Sequence, residues 1–422
     1  MNDGMFDTSI RISLPGAVRK IIGRLEAEGF EAWAVGGCIR DSLLNREPKD
    51  WDITTSALPQ QIKRIFDRTV DTGIEHGTVT VLLDSGAYET TTYRIDGKYT
   101  DSRHPDRVCF SASLEEDLKR RDFTINAMAY SESRGLADLF DGVLDLERHV
   151  IRCVGDPMER FKEDALRILR AVRFSAQLDF DIEGSTLEAA GALKERLRLI
   201  SAERIRAELE NLIMSQHPDR LEILVQTGIA EVIFPELHRM HGSDIDGFGS
   251  MIRLLKDSPC NRNIRWAILA GMSGSGSGFL RKLKYDNNTI HTVSELLRLE
   301  KAQINGLDDI GMRKLIHDAG TELMPLLFRY RMARDPLCDL TAAQEQYGRI
   351  LENGDCTDIK GLAVNGRDLM EAGIPSGRQI GVVLEGLLEA VIEEPSLNSR
   401  ETLLARAASI QAFPACRSSL LL

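Results

Sequence analysis

Residues 34–59, AVGGCIRDSLLNREPKDWDITTSALP, decide how the first part of this chain folds. Residues 31–35, which overlap the start of this stretch, are mostly apolar and are followed by two glycines. This pattern predicts a short strand followed by a turn. Residues 38–44 then predict a short helix, and residues 51–54 predict a second strand. A helix placed between two strands is typical of an α/β unit.

The same alternation continues along the chain. Pro59 predicts the first turn of a helix that runs over residues 60–66. Residues 78–83 and 88–93 are β-rich runs joined by a short polar turn that contains glycine, which predicts a hairpin. The polar segment that follows, residues 96–106, predicts a mobile loop.

After Gly142 the pattern changes to helices. Asp156 before Pro157 is a helix N-cap followed by proline at the first helical position. The apolar stripe that follows predicts one continuous helix as far as Leu178. A further helix is predicted over residues 203–213, and breaks are expected in the glycine-containing runs at residues 242–249, 273–278 and 353–354.

The residues of the first stretch suggest a specific chemistry. Asp50 and Asp52 are two residues apart on a predicted strand, so both carboxylates point to one face. Converging carboxylates need a compensating cation, and Mg²⁺ prefers oxygen ligands and usually keeps substrate phosphates in its shell. Gly36 and Gly37 allow the backbone at a helix start to approach a phosphate, and Arg40 adds positive charge. Together these parts predict a site for a nucleoside triphosphate with a divalent metal.

Each part alone has an ordinary alternative. Two aspartates separated by one residue are usually solvated groups near a turn, a glycine pair is usually just a turn, and an Arg-Asp dipeptide is usually a surface pair. Their order and spacing in one stretch favour the functional interpretation.

Longer segments carry a family resemblance. Residues 34–59 resemble the head of class II tRNA nucleotidyltransferases, which are the CCA-adding enzymes and bacterial poly(A) polymerases of the DNA polymerase beta superfamily. Residues 114–130, LEEDLKRRDFTINAMAY, are similar to the ribose-binding motif of this family, and residues 155–178, GDPMERFKEDALRILRAVRFSAQL, to its base-recognition helix. Residues 201–209, SAERIRAEL, and the segment 365–404 near the end also match. The resemblance is strong at both ends and weak between residues 218 and 355.

The resemblance implies the fold class and a domain order. We expect an α/β N-terminal head like that of polymerase beta, followed by an all-α C-terminal region. The head is expected over residues 1–142, a helical neck with the base-recognition helix over 143–215, a helical body over 216–355 and a helical tail over 356–422.

The resemblance also implies roles for particular residues. Asp50 and Asp52 are expected to be catalytic and to hold Mg²⁺, with Glu89 as a third metal ligand whose ordinary alternative is a solvated strand residue. Asp122 is expected to accept a hydrogen bond from the ribose 2′-hydroxyl. The expected nucleotide-binding residues are Gly36, Gly37, Arg40, Arg121, Asp122, Asn126, Asp164, Arg167 and Arg170.

Asp164 and Arg167 offer a way to read a base. They are three residues apart, so on a continuous helix they lie on one face. A carboxylate only accepts hydrogen bonds and a guanidinium only donates them. Cytosine and adenine each present an amine donor beside a ring-nitrogen acceptor, whereas guanine and uracil present the reverse. The pair therefore predicts acceptance of C and A without a nucleic-acid template; the alternative is a surface salt bridge.

Residues 95–110, IDGKYTDSRHPDRVCF, resemble the flexible loop that CCA-adding enzymes need to add the final A. The segment has full length, and Arg103 and His104 match the usual core of that loop. The alternative is a mobile polar loop with no such role.

The expected function is addition of CCA to the 3′ end of tRNA from CTP and ATP with Mg²⁺. The alternatives are an A-adding or CC-adding enzyme, a poly(A) polymerase, or a catalytically inactive RNA-binding protein. The last is disfavoured because the full set of aspartates and arginines is intact. No stable protein partner is implied.

Composition limits the remaining choices. The 422 residues carry a formal net charge of −12, so any nucleic-acid contact needs locally clustered basic residues. Hydrophobic residues make up 43% and charged residues 28%, which is typical of a globular protein. The seven scattered cysteines show no CxxC spacing, which favours a reducing compartment and hence the cytoplasm. No stretch predicts a membrane span or a targeting segment.

Overall fold

The computed structural model describes residues 6–96, 108–111 and 113–411. The first part of the chain is α/β. The described strands form one large sheet and two small sheets of two strands each. They are β1 Phe6–Asp7, β2 Ala32–Val35, β3 Asp52–Thr55, β4 Thr69–Gly73, β5 Thr78–Leu83, β6 Gly86–Thr92, β7 Arg94–Asp96, β8 Val108–Phe110, β9 Met128–Ser131, β10 Gly135–Asp138, β11 Val150–Ile151 and β12 Asp181–Ile182. The helices among the strands are α1 Gly16–Ala27, α2 Gly37–Leu43, α3 Pro59–Ile65, α4 Leu114–Lys119 and α5 Gly142–Glu147.

Helices dominate from there on. They are α6 Pro157–Glu163, α7 Leu166–Leu178, α8 Gly184–Ala192, α9 Ala202–Ile213, α10 Glu222–Gln226, α11 Ile229–Ile233, α12 Pro235–Ser243, α13 Ile245–Asp257, α14 Arg262–Met272, α15 Gly278–Lys282, α16 Asn287–Arg298, α17 Asp309–Ala319, α18 Met324–Arg334, α19 Thr341–Glu352, α20 Gly366–Glu371, α21 Arg378–Glu393 and α22 Arg400–Gln411. The predicted fold class, an α/β head followed by helices, is confirmed. None of the described helices is both long enough and apolar enough to cross a bilayer.

Eight of the described strands form one mixed sheet in the order β1-β10-β9-β2-β3-β6-β5-β4. Neighbouring strands are antiparallel except β3 and β6, which are parallel and pair Ile53 with Thr90. All four residues of β2 and of β9 are buried, because these strands lie inside the sheet and both of their faces are covered. The buried side chains that join the sheet to α4 are Trp33, Val35, Leu114, Leu118, Ala129 and Ala137.

The chain divides into two compact units. The first comprises Met1–Lys256 and Met272–Tyr285, and the second comprises Asp257–Gly271 and Asp286–Leu422. This division is coarser than the four predicted domains, whose boundaries at residues 142, 215 and 355 stay a prediction.

The helix predicted from Pro157 to Leu178 is broken, and that part of the prediction is wrong. α6 ends at Glu163 and α7 begins at Leu166, while Asp164 between them is extended, with φ −140° and ψ 105°. The physical reason lies in the side chain of Asp164, because its Oδ1 accepts a hydrogen bond from the Leu166 backbone N–H at 3.0 Å. An aspartate that satisfies a free N–H at a helix start favours a new helix over continuation of the old one.

The break expected over residues 242–249 is much shorter than predicted. α12 and α13 are separated by Asp244 alone, so Gly247 lies inside a helix. The Oδ1 of Asp244 accepts from the Gly247 N–H at 2.9 Å, and this cap starts α13 at once. The breaks predicted at residues 273–278 and 353–354 are confirmed.

In the second unit a buried arginine on α17 predicts a measurable stability effect. Arg313, which is 6% exposed, donates to the Ile392 carbonyl at 2.7 Å and to Asp355 Oδ2 at 2.9 Å. Arg313→Met leaves Asp355 without its partner, and we expect a loss of about 3 kcal/mol in the free energy of unfolding. The neighbouring Lys314 forms an exposed pair with Glu393, so Lys314→Met should cost less than about 1 kcal/mol. Chemical denaturation of both variants measures the difference, and equal losses would contradict the prediction.

Candidate active site

Three carboxylates meet at the edge where β3 begins. Because Ile53 pairs with Thr90 in parallel register, the preceding residues Asp52 and Glu89 are neighbours on the same face. Asp50 lies two residues before Asp52 and outside the strand, so the prediction that both aspartates lie on one strand is wrong for Asp50. Asp50, Asp52 and Glu89 are all exposed. Desolvation of the Asp52 carboxylate raises its pKa, repulsion from Glu89 and Asp50 raises it further, and Arg121 opposes these effects. The structure therefore brings the three predicted metal ligands into electrostatic contact.

The glycine pair lies beside these carboxylates. Gly36 has φ +86° and ψ −132° and precedes α2 directly, while its N–H donates to the Met128 carbonyl at 3.0 Å. A Cβ at Gly36 would lie 2.9 Å from Nη1 of Arg121, so only glycine lets this guanidinium approach the backbone so closely. Cys38 on α2 is not a nucleophile, because burial above all raises the pKa of its thiol to about 12.

The buried carboxylate of Asp117 binds the guanidinium of Arg121. Asp117 is fully buried and accepts from Arg120 at 2.7 Å, from Thr54 on β3 at 3.1 Å and from Arg121 at 3.4 Å. Burial alone would raise the pKa of Asp117, but Arg120 and Arg121 outweigh it and hold the pKa below the usual value. The buried Nε of Arg121 has no hydrogen-bond partner in the described part of the chain. Asp117 thus fixes Arg121 and leaves it donors for a ligand.

A second network joins α2 to α7. Arg40 donates to Asn126 Oδ1 at 2.8 Å, and the amide nitrogen of Asn126 donates to Asp122 Oδ1 at 3.2 Å. Arg170 on α7 contacts Asp122 Oδ2 through Nε at 2.8 Å and Nη2 at 2.6 Å. Four predicted nucleotide-binding residues, Arg40, Asn126, Asp122 and Arg170, therefore form one continuous chain of hydrogen bonds.

The carboxylate of Asp122 is fully occupied in this arrangement. Besides Asn126 and the two donors of Arg170, it accepts from the Phe123 N–H at 2.9 Å, and an ionised carboxylate has about four acceptor positions. Burial alone would raise the pKa of Asp122, but Arg170 and Arg167 hold it well below its usual value. A ribose hydroxyl would have to replace one of these partners, so the predicted contact of Asp122 with the ribose stays a prediction.

Asp164 and Arg167 are close in sequence, but their side chains do not pair with each other in the structure. The expectation that they share a helix face is wrong, because α6 ends before Asp164. Asp164 Oδ2 accepts from Arg204 on α9 at 2.8 Å. Arg167 donates to Glu163 Oε2 at 2.7 Å and to the Arg120 carbonyl at 2.8 Å. The simple surface salt bridge between the two is therefore absent as well.

Both side chains keep unused hydrogen-bonding capacity. Asp164 accepts from the Leu166 N–H and from Arg204, which leaves about two of its four acceptor positions. Arg167 donates three hydrogen bonds of the five a guanidinium offers, to Glu163 and to two backbone carbonyls. An acceptor and a donor are thus each held by separate partners with hydrogen-bonding positions to spare, and their role in reading a base stays a prediction.

Sequence reasoning missed several residues that hold this site in place, namely Asp117, Glu163 and Arg204. Glu163 and Asp117 had a signal, since each lies three or four residues before an arginine with which it pairs, and such pairs are neighbours on a helix. Arg204 had none, because its partner Asp164 is 40 residues away in sequence.

The two predicted loop residues, Arg103 and His104, lie outside the described residues.

Among the residues that the structure describes, no group of three or more His, Cys, Asp or Glu side chains is already arranged to hold a metal ion. Asp52 interacts electrostatically with Glu89 and Asp50, but the three side chains do not form such a group as they stand.

Three protein-family models match successive parts of the chain. The model described as "Poly A polymerase head domain" matches residues 32–152. The model "Probable RNA and SrmB- binding site of polymerase A" matches residues 179–240. A model of tRNA nucleotidyltransferase domain 2 matches residues 261–407.

Whole proteins match over almost the full chain. The CCA-adding enzyme of Limosilactobacillus fermentum is 40% identical over 404 residues, which cover 93% of this chain and 96% of the relative. That of Levilactobacillus brevis is 39% identical over 92% of this chain and 96% of its own length. The crystal structure of the Bacillus stearothermophilus CCA-adding enzyme in complex with CTP has a TM-score of 0.79 at 32% identity, covering 93% of this chain and 96% of that one. A tRNA nucleotidyltransferase complexed with a primer tRNA and an incoming ATP analog has a TM-score of 0.58 at 25% identity, covering 79% of this chain and 98% of that one.

The close approach of Gly36 to Arg121 predicts a specific loss. Gly36→Ala adds a Cβ that must displace the guanidinium, so we expect binding of inorganic tripolyphosphate to weaken about tenfold, or about 1.4 kcal/mol. Gly29→Ala is the control, because Gly29 has the same positive φ of +85° but open space around its Cβ position. Calorimetric titration of both variants tests this. If Gly29→Ala weakens binding as much, the backbone strain and not the contact with Arg121 is responsible.

Proposed function

The chain belongs to the family of CCA-adding enzymes, and from that premise and its own site we infer that it adds the nucleotides C, C and A to the 3′ end of tRNA. It transfers CMP from CTP and AMP from ATP, releases pyrophosphate and uses no nucleic-acid template. One observation of the structure supports this most directly. Asp52 interacts electrostatically with Arg121, Glu89 and Asp50, and Asp164 and Arg167, each held by a separate partner, keep an acceptor and a donor that are not paired with each other.

The family implies dependence on a divalent metal, and we propose that the metal is Mg²⁺ held by Asp50 and Asp52, with Glu89 beside them. Burial first, and then repulsion from Glu89 and Asp50, raises the pKa of Asp52, and a bound cation would offset that repulsion. The donors are all carboxylate oxygens, and the remaining ligand positions suit phosphate oxygens and water. When bound, the metal supplies positive charge that stabilises the attacking 3′-oxygen and the leaving phosphate.

The protein's own groups bind the triphosphate. Arg121 lies next to Gly36 and interacts electrostatically with Asp52, so we propose that it binds the phosphates that accompany the metal. Arg40 is held by Asp41 and Asn126, so its orientation is fixed before a nucleotide binds. Fixed guanidinium groups stabilise phosphate charge without reorganising during the reaction.

Asp164 and Arg167 select the base. The carboxylate accepts the exocyclic amine of C or A, and the guanidinium donates to the ring nitrogen beside it. Guanine and uracil would face the carboxylate with a carbonyl and the guanidinium with an N–H, and both contacts are unfavourable. Because Glu163 and Arg204 hold the pair, the protein itself carries the template information.

The alternative activities fit less well. The relatives that match more than nine-tenths of the chain are named CCA-adding enzymes, so addition of A alone, of CC alone or of a poly(A) tail is not favoured. We also propose that the protein works in the cytoplasm. The free and buried cysteines Cys38, Cys153 and Cys356 support this.

The direct test of the proposed activity incubates purified protein with a tRNA transcript that lacks its last three nucleotides and adds CTP and ATP. Sequenced products that end in CCA support the proposal, and products that end in CC, in A alone or in an A tract would overturn it.

The carboxylate cluster predicts a metal-dependent loss of activity. Asp50→Asn and Asp52→Asn should each reduce incorporation of both C and A by about a thousandfold or more, because charge stabilisation of several kcal/mol is lost. tRNA binding and the unfolding midpoint should stay near those of the unsubstituted protein. Asp84→Asn on the exposed hairpin turn is the control and should remain fully active. Turnover within tenfold in either site variant would show that these residues are not the metal ligands.

The base-reading pair predicts a change in selectivity. Arg167→Ala removes a hydrogen bond to a charged group, which is worth about 1.5–3 kcal/mol, so kcat/KM for CTP and ATP should fall by about one to two decades. UTP and GTP should lose far less, since they do not make this contact. Lys162→Ala, which alters only an exposed pair with Glu159, is the control. Measurement with all four nucleotides decides the matter, and an equal fall for all four would mean that base choice lies elsewhere.

A further inference from the structure

One aromatic ring contacts three arginines of the site. Phe174 on α7 is buried, and the guanidinium carbons of Arg173, Arg40 and Arg170 lie 4.0, 5.1 and 5.4 Å from its ring centroid. Guanidinium groups within about 6 Å of an aromatic face are attracted by the electrons of the ring. Two of the three, Arg40 and Arg170, belong to the network that contains Asn126 and Asp122.

The ring stands where several elements meet. Arg40 comes from α2, while Arg170 and Arg173 come from α7 itself. Arg173 in turn binds Glu208 of α9. The ring also makes an edge-to-face contact with Phe123, the residue next to Asp122, at a centroid distance of 5.8 Å. Phe174 therefore packs against Arg40 and Arg170, the two arginines of the network, and against Phe123 beside Asp122.

The three positively charged arginines lie close together around the Phe174 ring. Burial and the adjacent Arg170 lower the pKa of Arg173, and Glu208 works against them, so the mutual repulsion of these cations is felt. Each arginine has its own carboxylate, which are Asp41, Asp122 and Glu208 for Arg40, Arg170 and Arg173 respectively. The carboxylates bind one edge of each guanidinium, and the ring attracts all three guanidinium groups from within about 6 Å. A leucine of similar burial would fill space there without attracting a cation.

We propose that Phe174 is a positioning residue, which holds Arg40 and Arg170 in the orientation that binds the phosphates and sugar of the incoming nucleotide. This inference rests on the proposed function. Arg40 keeps unused donors on Nη1 and Nη2, and Arg170 keeps both hydrogens of Nη1, while Arg170 is also 35% exposed. Asp164 and Arg167 are held by other partners, Arg204 and Glu163 respectively. Phe174 therefore affects how tightly a nucleotide binds and not which base is chosen.

The experiment compares removal of the ring with a matched loss elsewhere. Phe174→Leu and Phe174→Met remove the aromatic face and keep an apolar side chain, and Phe174→Tyr keeps the face. Phe180→Leu is the control, because Phe180 is equally buried in the same unit and contacts His149 and not an arginine. Calorimetric titration with inorganic tripolyphosphate and with CTP gives Kd, and single-nucleotide addition to tRNA gives KM and kcat for all four nucleotides.

We expect Phe174→Leu and Phe174→Met to raise Kd for tripolyphosphate and CTP about tenfold, with kcat within about threefold and the preference for C and A over U and G unchanged. Phe174→Tyr should restore Kd to within about threefold, and Phe180→Leu should leave Kd unchanged. Unchanged Kd in a folded Phe174→Leu or Phe174→Met would overturn the proposal. So would an equal rise of Kd in Phe180→Leu, or a loss of base preference. Absence of CCA addition by the unsubstituted protein would refute the proposed function instead, and the tripolyphosphate titrations would still decide the role of the ring.

Discussion

The ion pair between Asp122 and Arg170 is the constraint on which the rest of the site depends. Its two residues are 48 positions apart in sequence, and the Asp122 side chain is only 8% exposed. A buried carboxylate without its cation costs about 3–5 kcal/mol, so the segment after α4 and the helix α7 can be arranged in few other ways. Because Asp122 also accepts from Asn126, which accepts from Arg40, the position of α2 follows from the same pair. The glycine pair and the start of β3 are then placed relative to α7.

Two unlike tasks are proposed for this site. In that proposal the exposed carboxylates and Arg121 bind a metal and phosphates, and Asp164 and Arg167 bind the edge of a base. Arg167 and Arg170 are about one turn apart on α7, so a shift of α7 would move a proposed base-selecting group and a proposed nucleotide-binding group together.

The sequence predicted what short-range patterns determine. The strand, glycine turn and helix around Gly36 and the hairpin of β5 and β6 appear within a residue or two of their expected bounds, because hydrophobic period and turn residues act locally. Asp50, expected on the same strand as Asp52, lies before that strand. The neighbourhood of Asp52 and Glu89 depends on the parallel pairing of β3 with β6, and no local signal gives that register. Arg204 reaches Asp164 from 40 residues away for the same reason. The helix through Asp164 was predicted wrongly because the apolar stripe continues across the break, while the cap that causes it involves one side chain.

That break supports the base-reading proposal. On a continuous helix the carboxylate of Asp164 would lie on the surface, beside Arg167 and free to pair with it. With the helix interrupted, Oδ1 caps α7 through the Leu166 N–H and Oδ2 is bound by Arg204 of α9, while Arg167 is bound by Glu163. The two base-reading groups are thus each neutralised by a different partner and kept from each other. Their remaining acceptor and donor positions are not used by each other, whereas a pair joined to itself would have to be broken before any base could bind.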